Sequence, residues 1–281
     1  MSSYAAITDR IISLIETSGE LPWNKPWNVL SPVNAISSKP YRGINTLLLH
    51  SMSYESPFWL TFHQAQQLGG TVRKGERACP VVFGKRVKEQ DEQTGEETGY
   101  TVLRLYNVFN LSQVDGIKNI PATVETPATV STPADDIIAL MPKRPEIKYG
   151  MSKAYYSPSV DIIAMPDRAR FDSEAHFFST IYHEMIHATG AKSRLNRPTL
   201  TESAGFGSDP YCKEELIAEM GAAFLCGHAG IENTIQNSAA YLQNWLEQLQ
   251  NDKALIVQAA AQAQKAADFI LGTKFEDAVA G

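Results

Sequence analysis

Residues 183–187 read His183-Glu184-Met185-Ile186-His187, and the residues around them call for a helix. Asp172 or Ser173 can cap it, the run continues to Thr189, and Gly190 supplies the stop. Two imidazoles four residues apart on a helix differ by about 40° around the axis and about 6 Å along it, so one face can offer both to a single ion. Glu184 lies beside the pair, where it can take a proton from water activated by that ion. The plainer alternative is a pair of histidines that merely pack or hydrogen-bond. A metal site asks for more, because two histidines leave it short of a third protein ligand.

Glu214-Glu215-Leu216-Ile217-Ala218-Glu219 supplies carboxylates on a following helix. Asp209-Pro210 opens that helix with a cap and a first-turn proline, and it runs toward Gly230. The arrangement resembles gluzincin metallopeptidases, in which a downstream helix contributes a glutamate ligand and an acid four residues later supports a ligand histidine. That resemblance implies Glu215 on the metal and Glu219 receiving a ring N–H behind it, with Ala218 letting the helices approach. Glu214 is the main rival ligand, since it lies about 100° around the helix from Glu215 and sequence does not fix the rotation. Left out of the site, it reads as a solvated charge. His228 lies about 220° around the helix from Glu215 and is not expected to share the ion. This ligand set favours zinc, with manganese or cobalt as substitutes in a purified sample.

At 281 residues the chain suggests two domains. Between Lys118 and Pro142 the composition shifts to Pro, Ala, Thr and Val with little periodicity, which predicts a semi-extended linker over 118–142 between domains at 1–117 and 143–281. In the first part Ile7, Ile11, Leu14 and Ile15 predict an amphipathic helix over Tyr4–Thr17. Thr46–Leu49 is a short apolar run, and Cys79–Phe83 and Tyr100–Phe109 flank a polar hairpin connection with a Thr94-Gly95 turn. The second part reads as a short strand at Val160–Met165 followed by helices, the last two over Ala239–Leu249 and Lys253–Leu271. The stretch Tyr155–Pro166 serves equally as an edge strand for an extended peptide or as a buried structural strand. Tyr155 and Tyr156 read as core aromatics and stay outside the site.

A hydrophobic share of 43% and a charged share of 20% are globular values, which excludes disorder and coiled coil as the main architecture. The net charge of −6 excludes a large uniform positive field, and residues 1–117 balance 11 basic against 11 acidic side chains. Cys79, Cys212 and Cys226 include no CxxC pair, so no disulfide framework is expected and a reducing cytoplasm fits. Asp9, Arg10 and Glu16 interrupt the first segment, which reads neither as a signal peptide nor as a membrane span. A soluble protein without a membrane partner is expected.

The N-terminal part interleaves aromatics with cations. Trp23, Lys25 and Trp27 lie among prolines, Tyr41 precedes Arg42, and Arg73-Lys74 sits in a Gly-bounded turn. Stacking faces beside cations suit single-stranded nucleic acid, although aromatics at this density equally build a core. On this reading Trp23, Trp27 and Tyr41 stack on bases, while Lys25, Arg42, Arg73 and Lys74 supply positive charge.

Trp23-x-x-Pro26-Trp27, Tyr41-Arg42-Gly43-Ile44-Asn45, Trp59-Leu60-Thr61-Phe62, Gly70-x-Val72-Arg73-Lys74-Gly75 and Val108-Phe109-Asn110 look like the N-terminal domain of ArdC-type antirestriction proteins. His183–Gly190, Ser193-Arg194-Leu195-Asn196-Arg197 and Glu214–Leu225 look like the zincin-like peptidase domain that accompanies it. The resemblance covers nearly the whole chain in the family's domain order. It implies an α+β fold of two domains, an N-terminal α+β single-stranded DNA-binding domain and a mainly helical zincin-like metallopeptidase domain. It further implies a plasmid-encoded protein that protects incoming conjugative DNA from host restriction, with an unidentified protein as peptidase substrate. Glu184 would be the catalytic base, and His183, His187 and Glu215 would hold zinc. The alternative is a DNA-occluding protein whose zincin domain is a non-catalytic scaffold. Relatives often place an aromatic where this chain has Ala188.

Overall fold

A computed structural model of the chain describes residues 2–24, 31–90, 97–117, 133–202, 209–234 and 239–273. Helix α1 spans Ser3–Ser18; Ser2 caps it by accepting from the Ala5 N–H, and Gly19 ends it at φ +69° in the left-handed region. Strand β1 (Val33–Asn34), helix α2 (Ile44–Ser51), strand β2 (Phe58–Thr61), helix α3 (Phe62–Gln67) and strand β3 (Thr71–Val72) follow. The apolar run at Thr46–Leu49 thus lies on α2. Strands β4 (Cys79–Gln90) and β5 (Glu97–Asn110) form the expected antiparallel hairpin, and β6 (Val114–Asp115) closes the N-terminal part. One sheet has the order β1-β2-β5-β4, and β3 pairs with β6. The Thr94-Gly95 turn lies outside the described residues.

Of the predicted linker, residues 118–132 lie outside the described residues, and the rest is not extended. Ala134–Leu140 is helix α4, which buries Ile137 and Ile138 in the core and receives the Tyr182 hydroxyl on the Ala134 carbonyl at 3.0 Å. The proline spacing misled because Pro133 stands just before the helix as its cap, a position where proline costs no helical hydrogen bond.

Strands β7 (Glu146–Lys148), β8 (Tyr155–Ser157) and β9 (Ile162–Ala164) make a sheet of order β7-β9-β8, so β9 is central and β8 is an edge. Helices α5 (Glu174–Thr189), α6 (Pro198–Thr201), α7 (Asp209–Ala229), α8 (Ala239–Asn251) and α9 (Leu255–Ile270) complete an α+β architecture. Ser173 caps α5 by accepting from the His176 N–H. At the crossing of α5 and α7, a Cβ on Gly221 would stand 2.6 Å from Ile186 Cδ1, so only glycine permits this approach. The sequence pointed to Ala218 for that role; Ala218 is fully buried too.

One continuous core holds Ile7, Ile11 and Ile15 of α1, Leu47 and Leu48 of α2, Ile181 and Met185 of α5, and Ile256 and Ala260 of α9. The two parts of the chain are also tied by polar contacts. Thr8 Oγ1 donates to the Lys253 carbonyl at 2.7 Å, the Gly43 N–H donates to Gln264 Oε1 at 2.9 Å, and Arg42 is ion-paired with Asp268. Among the described residues no helix is long and apolar enough to cross a membrane.

Candidate metal centre

Helix α5 presents His183 and His187 on one face, and the crossing at Gly221 brings α7 alongside with Glu215. His183 Nε2 lies 3.0 Å from His187 Nε2 and 3.4 Å from Glu215 Oε2, while His187 Nε2 lies 3.5 Å from Glu215 Oε1. Ligand atoms about 2.0–2.2 Å from one tetrahedral ion stand about 3.3–3.6 Å apart. The donor triangle therefore has nearly the edge lengths that such an ion imposes. A four-residue spacing on a regular helix turns both rings inward, and their planes stand at 80° with centroids 4.7 Å apart.

The carboxylate behind His187 is Glu214. Its Oε1 is 3.2 Å from His187 Nδ1, and Arg197 Nε donates to its Oε2 at 3.0 Å. Thr199 donates to the same carboxylate, and Arg197 reaches Thr189 Oγ1 and the Ile186 carbonyl at the end of α5. With a second Arg197 bond, from Nη2 to Oε1, Glu214 is buried and fourfold bonded, contrary to its reading as a solvated charge. Glu219, expected behind a ligand histidine, is buried elsewhere and accepts the Trp23 Nε1–H at 3.2 Å. The physical reason is rotation. With Glu215 facing His183 and His187, the adjacent Glu214 falls on the His187 Nδ1 side and Glu219, a turn away, meets the N-terminal part. His183 Nδ1 has no hydrogen-bond partner among the described residues.

Charges within the cluster reinforce one another. Burial alone would raise the Glu214 carboxyl, but the hydrogen bonds from His187 and Arg197 hold it down at about 2. Glu215 is likewise held well below the carboxylate range against its own burial, by His183 and His187. Burial disfavours the His187 cation, yet Glu214 and Glu215 outweigh it and push the imidazole well above its ordinary range.

Glu184 is buried and opens on the same cavity of about 440 Å³ as the donor triangle. Tyr155, Tyr156 and Pro158 line the opposite wall along the β8 edge, and Tyr211 of α7 joins them. Tyr156 is fixed as structure: its hydroxyl donates to Asp161 Oδ1 at 2.7 Å and accepts from Arg194 at 3.1 Å. Arg194 also donates to the Ala188 carbonyl at 2.6 Å, so the Ser193–Arg197 motif braces the metal helix with both its arginines. Tyr155 is exposed. Tyr211 was not singled out by sequence, which offers no pattern for a lone tyrosine at a helix start. Burial and the neighbouring Glu215 charge push its phenol up to about 12, so it keeps its proton at neutral pH.

The proposed DNA contacts are placed differently from one another. Trp23 is fully buried, and Asn233 Nδ2 donates to its carbonyl at 3.1 Å. Tyr41 is buried, and Arg42 is paired with Asp268. Arg73 pairs with Glu76 at 2.7 Å and Asp115 at 3.2 Å. Lys74 is exposed, and Lys25 and Trp27 lie outside the described residues. The Tyr41–Asn45 motif serves packing: Asn45 brackets the Val82 backbone at 2.7 and 2.8 Å, and Gly43 at φ +57° lies against α9.

Comparison with known proteins bears on both parts. The family described as zincin-like metallopeptidase matches residues 134–262, and the N-terminal domain of anti-restriction factor ArdC matches residues 1–109. The chain is 36% identical over 284 residues to the uncharacterized protein y4eC of Sinorhizobium fredii (strain NBRC 101917 / NGR234), covering 95% of this chain and 91% of that protein. It is 34% identical over 289 residues to the DNA primase TraC of Escherichia coli, covering 94% of this chain but only 26% of TraC. The antirestriction ArdC protein from R388 plasmid has a similar structure. Its metal-free form gives a TM-score of 0.75 at 38% identity, covering 96% of this chain and 97% of that one. Its Mn(II)-bound form gives 0.78 at 37% identity, covering 97% and 98%.

Proposed function

Since the chain belongs to the ArdC family of antirestriction proteins, we propose that it binds single-stranded DNA through residues 1–117 and hydrolyses a protein substrate at a zinc centre in residues 143–281. Together these would protect incoming conjugative DNA from restriction in the cytoplasm. The observation that carries the enzymatic part is the donor triangle of His183, His187 and Glu215, with Glu184 opening on the same cavity.

The residues present fit a divalent ion by number, chemistry and spacing. Such an ion supplies Lewis-acid polarisation of a carbonyl and of water. Glu184 takes the proton of the attacking water as the C–O bond forms, then delivers it to the amine nitrogen as the C–N bond breaks. The β8 edge offers unpaired backbone N–H and C=O groups to an extended peptide. Tyr211, protonated at neutral pH, is a hydroxyl donor for charge developing on the carbonyl oxygen. Glu214 orients His187 and Arg197 balances Glu214, so the ligand set is held before the ion arrives.

The test is plasmid survival on transfer into a restricting host, comparing wild type with Glu184→Gln at equal protein levels. The variant keeps Mn(II) and oligonucleotide binding and loses protection if the reading is right. Full protection by the variant would refute a peptidase role and leave DNA occlusion as the active principle. Failure of wild type to protect would refute the antirestriction reading itself.

A further inference from the structure

Four of the seven residues that sequence assigns to DNA are buried or neutralised by carboxylates, so the base-stacking surface must be sought among the aromatics that remain exposed. Phe83 of β4 and Tyr106 of β5 answer that description, at 36% and 37% exposure. Their ring centroids are 5.7 Å apart with planes at 72°, and the buried Tyr41 ring backs Phe83 at 6.1 Å. Arg104 stands directly opposite Phe83 in the β4–β5 register and two residues from Tyr106, hence on the same face. It is exposed and enters no ion pair among the described residues, unlike Arg42 and Arg73. Val102, 38% exposed, continues the face, and Lys85 takes the register position opposite it.

We infer that this face of the β4–β5 hairpin is the platform on which single-stranded DNA stacks, with Phe83 and Tyr106 under the bases and Arg104 on the backbone phosphate. The inference rests on the DNA-binding reading above and deepens it. Charge decides the occupant: an unneutralised arginine on the same strand face as two exposed rings complements a ligand that alternates π surfaces with phosphates. Duplex DNA hides its base faces in the stack, so the platform discriminates against it. The buried Tyr41 behind Phe83 fixes that ring from below, which limits the ordering that binding requires.

Fluorescence anisotropy with a labelled oligothymidylate, and with a duplex of equal length, tests this on the full chain. Phe83→Ala and Tyr106→Ala should each weaken single-strand binding about 5- to 100-fold and leave duplex binding within twofold. Phe83→Trp should retain affinity, and Arg104→Gln should lower the salt slope by about one ion. Phe83→Leu and Tyr106→Leu, which keep apolar packing but remove the ring, guard against misfolding and should lose affinity like the alanines. Wild-type binding together with unimpaired leucine variants would overturn the platform alone. No binding by wild type would overturn the DNA-binding reading and the platform with it.

Discussion

Replacing Glu214 by Gln removes one charge from a buried polar cluster and changes almost nothing else. The Glu214 side chain is 4% exposed and that of its partner Arg197 3%. Breaking a buried ion pair on one side costs about 3–5 kcal/mol, because the remaining charge is left uncompensated. Arg197 keeps its bonds to Thr189 and to the Ile186 carbonyl, and the glutamine oxygen still accepts, so the low end, about 3 kcal/mol, is expected. For a chain of this size that is roughly 6 °C in the melting temperature of metal-free protein at pH 7. A second loss is separable from the first. His187 no longer has an anionic partner at Nδ1, and Mn(II) affinity should fall about 10- to 100-fold, read by calorimetry on the folded variant. A variant that melted within 2 °C of wild type and bound Mn(II) as tightly would show that Glu214 neither balances Arg197 nor orients His187.

Four further outcomes are expected. Glu214 and Glu215 favour the His187 cation in the metal-free protein, so Mn(II) should displace about one proton at pH 7 and bind more tightly as pH rises; calorimetry in two buffers of unequal ionisation enthalpy checks this, and identical heats would refute it. In the metal-free protein the same raised value stabilises the fold fully below about 6.5 and is lost as pH climbs through it, whereas depressed Glu214 contributes above 4.5 and is lost as pH falls toward about 2. Gly221→Ala must push Ile186 and α5 away from α7, costing about 1–3 kcal/mol and weakening Mn(II), with unchanged affinity refuting the claim that this crossing sets the His-to-Glu215 distance. Trp23→Ala should cost about 3–5 kcal/mol in chemical denaturation while the folded protein binds oligonucleotide as before; a selective loss of DNA affinity would restore Trp23 to the interface.

The metal helix was legible because its constraint is local. A four-residue spacing, a Ser173 cap and a glycine stop are read within one segment, and the geometry of a helix does the rest. Glu215 needed a second helix and a family resemblance, and the assignment of its neighbours failed at the point where rotation about that helix matters. Glu214 and Glu219 are chemically identical in sequence; what separates them is that one faces His187 and Arg197 and the other faces Trp23. Arg197 carried a faint signal, as one of two arginines close behind the metal helix, but a buried ion pair is visible only once both partners are placed.

Four of the N-terminal candidates, Trp23, Tyr41, Arg42 and Arg73, are buried or ion-paired for a different reason. Aromatics and cations are required alike by a core with buried ion pairs and by a nucleic-acid surface, so composition cannot choose between them. Exposure chooses. Trp23 and Arg42 are taken up in holding the first part of the chain to α7 and α9, while Tyr41 packs behind Phe83 within that part, and the resemblance that made them conspicuous reflects these architectural duties. Trp23 reaches Glu219, one helical turn from Glu215, so the N-terminal part is a wall of the same body that positions the candidate metal ligands. If the β4–β5 face holds DNA as proposed, that surface and the candidate metal cavity are built on one continuous core and hold a fixed geometry. On the proposed function, that fixed geometry would let a peptidase act selectively on proteins met at DNA bound to the same body.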